Sequence, residues 1–399
     1  MPALQRIIAD RYGGRDLPIT VVLPDGARVP LSATPAVEVV ARTWRGLQAL
    51  AKPALGSLAR AYVHGDIDFS GSARKVLGIA ESMVGAVDHS REKLGQRFKT
   101  FLHQRRPNRS NIAHHYDVSN EFYRMWLDQR MVYSCAYFQD EAQSLDDAQV
   151  AKLDHICRKL RLAPGESFLD IGCGWGGLVF HAAENYGVHA HGITLSQNQY
   201  EHVSREIVAR RLTGHVKVEL RDYLDLPEDA VYDKVASVGM FEHVGLRNLP
   251  VYFGTAYRLL RDRGLFLNHG ITSSDVDNRE IGSDTGRFID KYVFPHGELP
   301  HVALALREMS AAGFEVSDME SLRPHYARTL ELWSDRLEAR LDDAAKLVDE
   351  KTLRVWRVYL MGCAYGFQQG WMNIYQLLGS KQEAAGLTDI PLTREYMYR

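Results

Sequence analysis

The chain has 399 residues, 45% of them hydrophobic and 25% charged, with 48 Lys and Arg against 50 Asp and Glu and a net charge of -2. This is the composition of a soluble globular protein with core enough for one large domain or two, and it excludes recruitment to nucleic acid or membrane by bulk charge; such contacts must come from local patches. Cys135, Cys157, Cys173 and Cys363 form neither a CxxC pair nor a zinc spacing, which argues against a disulfide framework or structural metal and for a reducing cytoplasm.

The N-terminus, "MPALQRIIADRYGGRDLP", lacks an apolar leader core, and no uncharged apolar run approaches the roughly 18 residues of a spanning helix. Residues 16–32 read as a short hairpin turning at Pro24-Asp25-Gly26. From Val39 to Gly65 the chain carries Arg42, Arg45, Lys52 and Arg60 with no acid, and Pro53 and Gly56 are expected to break it into helical pieces. A further helix follows "GDIDFSG", with Ser70 or Ser72 as its start signal. These elements suggest a small, mainly helical N-terminal domain over residues 1–90. Residues 91–109 gather Arg91, Lys93, Arg97, Lys99, Arg105, Arg106 and Arg109 against the single acid Glu92, while Leu94, Phe98, Phe101 and Leu102 recur at helical spacing. Two readings stay open for this basic segment: a solvated linker helix, or a helix lying on a membrane surface.

Beyond residue 110 the pattern changes to alternating strands and helices. Helix "LDDAQVAKLDHICRKLRL" stops at Pro164-Gly165, and strand "SFLDIG" runs through a glycine loop into helix "LVFHAAENYG". Strand "VHAHGITL", helix "SQNQYEHVSREIVARRL" and strand "VKVELRDY" come next, followed by "YDKVASVGMF", "LPVYFGTAYRLL" and "GLFLNHGIT". The alternation predicts an α/β fold, a doubly wound and mostly parallel sheet.

A first strand that runs into glycines and then a helix forms the usual crevice for a nucleotide-bearing ligand. The stretch Asp170-Ile171-Gly172-Cys173-Gly174-Trp175-Gly176-Gly177 can be matched to the dinucleotide fingerprint, yet its extra glycine and strand-end Asp170 fit a different loop better. It resembles the motif of the Rossmann-like class I S-adenosylmethionine-dependent methyltransferases. Asp170 would then orient groups at the ligand's amino end, with Gly172, Gly174, Trp175 and Gly176 as backbone approach. The second strand ends without an acid, so Thr194, Leu195, Ser196 and Gln199 would supply the contacts to the ribose region. Asp222 and Tyr223, after the third strand, would meet the adenine.

The motifs "HHYDVSNEFYRMWLD", "YSCAYF", "FLDIGCGWGGL", "GITLSQNQ", "MFEHVG", "KYVFPHGELP" and "HYARTLELW" resemble the cyclopropane fatty acid synthase family over residues 110–399. "RAYVHGDIDFSG" resembles the N-terminal domain of its longer, phospholipid-acting members. The resemblance implies transfer of a methylene group from S-adenosylmethionine to the cis double bond of a phospholipid acyl chain. A carbocation would form, and a bound bicarbonate ion would take its proton as the ring closes. It brings Tyr116, Tyr133 and Ser134 to the cosubstrate, and Cys135, Glu242, His269, Ile271 and Tyr326 to the bicarbonate. Four of these five would donate hydrogen bonds and Glu242 would accept one. Cys363 matches a cysteine once cast as the family's nucleophile; its apolar setting and the lack of any need for a covalent intermediate weigh against that.

The expected partners are therefore the phospholipid bilayer surface and unsaturated acyl chains, not nucleic acid, with a homodimer left open. The expected location is the cytoplasm, peripherally on the inner face of the membrane, with residues 1–90 and the basic helix as the docking part. Related enzymes that add a plain methyl branch to lipids or methylate a small amine are the alternatives.

Overall fold

The structure, a computed structural model, describes residues 17–84, 118–277, 298–386 and 388–398. Contacts divide the chain into two units. The described part of the first is residues 17–84 and 333–363. Its sheet has the order β2-β1-β3-β4, formed by β1 (Ile19–Val22), β2 (Arg28–Pro30), β3 (Val37–Ala41) and β4 (Ile67–Phe69). β1 and β2 form the expected antiparallel hairpin, closed by the Gly26 N–H on Leu23 O at 2.9 Å.

Two local readings are corrected here. Val39–Ala41 lies in β3, which pairs in parallel with β1, rather than in a helix. Its residues Val37, Val39 and Ala41 are buried while Glu38 and Val40 are only partly so, the period-two pattern of a strand. Gly56 does not break a helix but sits buried inside helix Leu55–Val63. The interruption comes before it, between Ala51 and Leu55, where Pro53 disfavours helix at its predecessor and offers no N–H. Of the two serines, Ser72 directly precedes helix Ala73–Val84, whereas Ser70 Oγ accepts from the Glu38 N–H of β3 at 2.9 Å.

Residues 333–363 join this unit although they lie in the stretch read from sequence as catalytic domain. Arg354 shows why. Its side chain is buried, donates to Tyr62 O at 2.9 Å and Asp68 Oδ2 at 3.0 Å, and lies 4.7 Å over the Tyr62 ring. A buried guanidinium needs such partners, and they hold the segment to the N-terminal residues.

The second unit is built on a seven-stranded sheet of order β10-β11-β9-β8-β5-β6-β7. Its strands are β5 (Ser167–Ile171), β6 (His189–Thr194), β7 (Val216–Leu220), β8 (Tyr232–Val238), β9 (Leu260–Ser273), β10 (Glu315–Ser321) and β11 (Met372–Ser380). The five strands from β5 to β9 pair in parallel, and β11 runs antiparallel to both β9 and β10. Helices Leu145–Lys159, Gly177–Tyr186 and Gln197–Ala209 share one apolar core, while Leu249–Arg258 and Val302–Ala311 share another. The doubly wound, mostly parallel sheet expected from the sequence is thus present. Strand order reverses at β5, whose neighbours are β6 and β8, and ligands of such sheets bind outside the carboxyl ends at that switch point.

Candidate active site

The glycine loop leaves β5 at that point. Gly172, Gly174 and Gly176 have φ of 84°, 56° and 86°, a region L side chains rarely adopt. A Cβ on Gly176 would meet the Phe180 ring at 2.6 Å, so that glycine permits close packing of loop on helix. A Cβ on Gly174 would meet nothing within 4 Å and would project into open space. Gly174 therefore keeps an approach to the backbone clear.

That space belongs to a cavity of about 420 Å³ within the second unit. Its wall includes Tyr133, Ser134, Asp170, Gly172, Gly174, Trp175, Thr194, Leu195, Gln199, Asp222 and Tyr223, eleven of the residues singled out from sequence for the cosubstrate. Gly176 and Ser196 are not part of the wall. Ser196 is instead the N-cap of helix Gln197–Ala209, its Oγ accepting from the Gln199 N–H at 3.4 Å. Tyr116 lies outside the described residues. Trp175 is fixed by donation from Nε1 to Asn120 Oδ1 at 2.8 Å and by Tyr123, 4.8 Å from its ring.

Asp170 is buried, and its Oδ1 has no hydrogen-bond partner. Burial pushes its carboxyl up to about 7, against the pull of Lys152. Lys152 also lines the cavity: its buried ammonium donates to Ser134 Oγ at 2.9 Å, and burial lowers it to about 8. Together with His243, held neutral by burial at about 4, it is a wall residue the sequence reading missed. A signal was present, because Lys152 falls with Leu145, Ala148 and Ile156 on the buried stripe of its helix.

A second group lies beside the carboxyl end of β9. Glu242 Oε1 accepts from the Ile271 N–H at 2.9 Å, and its buried Oε2 has no partner. Burial raises this carboxyl to about 7. His269, two residues before Ile271 on β9, is fully buried and held neutral by desolvation. Its Nδ1 takes the Gln376 amide N–H at 3.2 Å, which leaves the proton on Nε2, itself without a partner. Two of the donors expected for an anion are engaged within the protein. The Ile271 N–H goes to Glu242, the carboxylate within its reach, and Cys135 Sγ is 3.2 Å from Ala136 O and 3.8 Å from Leu322 O. Leu322 bonds the Ile374 carbonyl opposite Ile271 and accepts from the Tyr326 N–H, so Cys135 and Tyr326 join the same neighbourhood. Cys363 belongs to the first unit, buried in helix Glu350–Gln368 with its thiol pushed up to about 12.

The sheet, its switch-point loop and the cavity over it define a class I S-adenosylmethionine-dependent methyltransferase fold. Solved structures with that architecture include the cyclopropane synthase MmaA2 from Mycobacterium tuberculosis, at a TM-score of 0.66 and 34% identity over 69% of this chain and 99% of that one. They also include mycolic acid cyclopropane synthase CmaA1 complexed with SAH and CTAB, at 0.65 and 36% over 69% and 99%. The model of the mycolic acid cyclopropane synthetase family matches residues 103–377, and the chain belongs to that family. A probable fatty acid methyltransferase of Pseudomonas putida is 45% identical over 398 residues, 100% of this chain and 98% of the relative.

Proposed function

We propose that the chain transfers a methylene group from S-adenosylmethionine to the cis double bond of an unsaturated acyl chain in a membrane phospholipid, closing a cyclopropane ring. Glu242 carries the reading. An unpaired carboxylate oxygen in an apolar interior is costly unless it serves a ligand, and beside it on β9 His269 offers an unpaired N–H. S-adenosylmethionine supplies an electrophilic methyl group on its sulfonium. Asp170 and Ser134 would take its methionine end and Asp222 and Tyr223 its adenine, with Met240 and Val244 as apolar parts of the same wall.

Bicarbonate, when bound, would supply the base for the proton that ring closure releases; the unpartnered Glu242 Oε2 would accept from it and His269 Nε2 and the Tyr326 hydroxyl would donate to it. The full-length similarity to a protein named as a fatty acid methyltransferase supports a lipid acceptor, and it favours one second reading, a methyl-branched product. Among the described residues no helix is long and apolar enough to cross a membrane. In this reading the chain reaches the acyl chain from the bilayer surface, as a peripheral protein on the cytoplasmic face. The first unit offers exposed Trp44, Arg45 and Lys52 for this, whereas Arg42 is paired with Asp68. The basic segment 91–109 lies outside the described residues.

The test incubates the protein and methyl-labelled S-adenosylmethionine with vesicles of unsaturated or fully saturated phospholipid, in the presence or absence of bicarbonate. Label should enter only unsaturated lipid and fall in carbonate-free buffer. Equal labelling of saturated vesicles would refute the acceptor, and indifference to bicarbonate would refute the base.

A further inference from the structure

We propose that Lys152 is a positioning residue for the amino-acid end of the cosubstrate. Held on the Ser134 oxygen, its ammonium turns that hydroxyl into a donor toward the ligand's carboxylate, while the unpartnered Oδ1 of Asp170 accepts from the ligand's ammonium. This rests on the S-adenosylmethionine reading of the cavity.

Three observations converge. Lys152 Nζ donates to Ser134 Oγ at 2.9 Å, and both residues are buried in the cavity wall. A hydroxyl whose oxygen accepts from an ammonium must direct its own hydrogen elsewhere, and that hydrogen is made a stronger donor by the charge behind it. The other carboxylate acting on Lys152 is already committed: Asp128 Oδ1 accepts from the Val132 N–H at 2.7 Å and Oδ2 from the Arg130 N–H at 2.9 Å. Asp170 is not so committed, since its buried Oδ1 has no partner, and Lys152 is the cation that opposes its neutralisation by burial. Cys135 and Cys157 also face the ammonium, but burial keeps both thiols protonated. The wall thus presents a charge-backed donor and an unpartnered carboxyl oxygen as acceptor. An α-amino acid presents the complementary pair, a carboxylate and an ammonium on one carbon.

Calorimetry on the full chain separates this role from a structural one by comparing two ligands. S-adenosylhomocysteine has the amino-acid end; methylthioadenosine keeps the nucleoside and thioether without it. Lys152→Met retains the length of the side chain and removes its charge. It should weaken S-adenosylhomocysteine by roughly ten- to a hundredfold and methylthioadenosine by less than about twofold. Ser134→Ala, which leaves the ammonium in place and removes the relaying hydroxyl, should show the same selective loss and decides the matter should Lys152→Met fail to fold. Equal weakening of both ligands, or S-adenosylhomocysteine bound within about twofold of wild type, overturns the proposal. A wild-type protein that binds neither ligand overturns the cosubstrate reading itself.

Discussion

Replacing Glu242 by glutamine keeps the side chain's shape and its acceptor for the Ile271 N–H, removes the ability to carry charge and turns the second oxygen into an N–H donor. Burial raises this carboxyl from the ordinary 4.5 to about 7. A raised folded-state value means that the native protein binds the proton more tightly than the unfolded chain. The stabilising contribution is therefore complete below the ordinary carboxylate range and is lost as pH rises through about 7. About 2.5 units at 1.36 kcal/mol each make the loss about 3 kcal/mol by pH 8 or above. Glutamine does not titrate, so the variant should gain on wild type by that order as pH rises, with nearly equal pH dependence below about pH 4. Urea unfolding of both proteins across this range measures the difference directly, and contributions from other groups, such as neutral His243, cancel in it. The same change should lower turnover about 10- to 150-fold by removing a charge-assisted hydrogen bond of roughly 1.5–3 kcal/mol. Parallel stability curves for the two proteins would refute the reasoning, because they would mean that Glu242 ionises as readily folded as unfolded.

Gly174→Val would place a branched side chain at φ 56° with its Cβ in the open space of the cavity; calorimetry should show S-adenosylhomocysteine binding abolished in a folded variant, and unchanged affinity would remove the loop from the site. Cys363→Ser should retain substantial activity, since a thiol pushed up to about 12 is no nucleophile near neutrality, and a folded but inactive variant in the lipid-labelling assay would restore that role. Vesicle co-sedimentation should rise with anionic lipid, weaken with salt and drop when Arg97, Lys99, Arg105 and Arg106 become alanine. Each cation held near the leaflet is worth on the order of 1 kcal/mol, and undiminished binding would leave the basic segment a linker.

The parallel half of the sheet was legible because each part carries a local signal: short apolar runs such as β5, the glycine cluster that follows it, and helical segments alternating with the strands. What stayed hidden depends on partners remote in sequence. β11 pairs over nine residues with β9, a strand far earlier in the chain. Arg354 bonds Tyr62, 292 residues away, so nothing near it in the chain marks it as part of the first unit. Most of the cosubstrate residues named from sequence do line the cavity, because Asp170, Thr194 and Asp222 with their neighbours sit at or just after strand ends in chain order. Lys152 was passed over because a cation on a helix ordinarily reads as solvated, although its place on the stripe of Leu145, Ala148 and Ile156 pointed inward and the bond to Ser134 shows why. The anion-site residues were matched by resemblance, and their engagement with one another, Ile271 with Glu242 above all, is a property of the folded geometry.

The central claim, ring closure on a lipid double bond, is tested most directly by giving the protein unsaturated phospholipid vesicles and S-adenosylmethionine with a fully deuterated methyl group. Cyclopropanation removes one deuteron from the transferred methyl as the ring closes, so mass spectrometry of the acyl chains should show two of the three deuterons retained, with the alkene gone. Retention of all three, with a methyl branch or a methylated amine as product, would contradict the account.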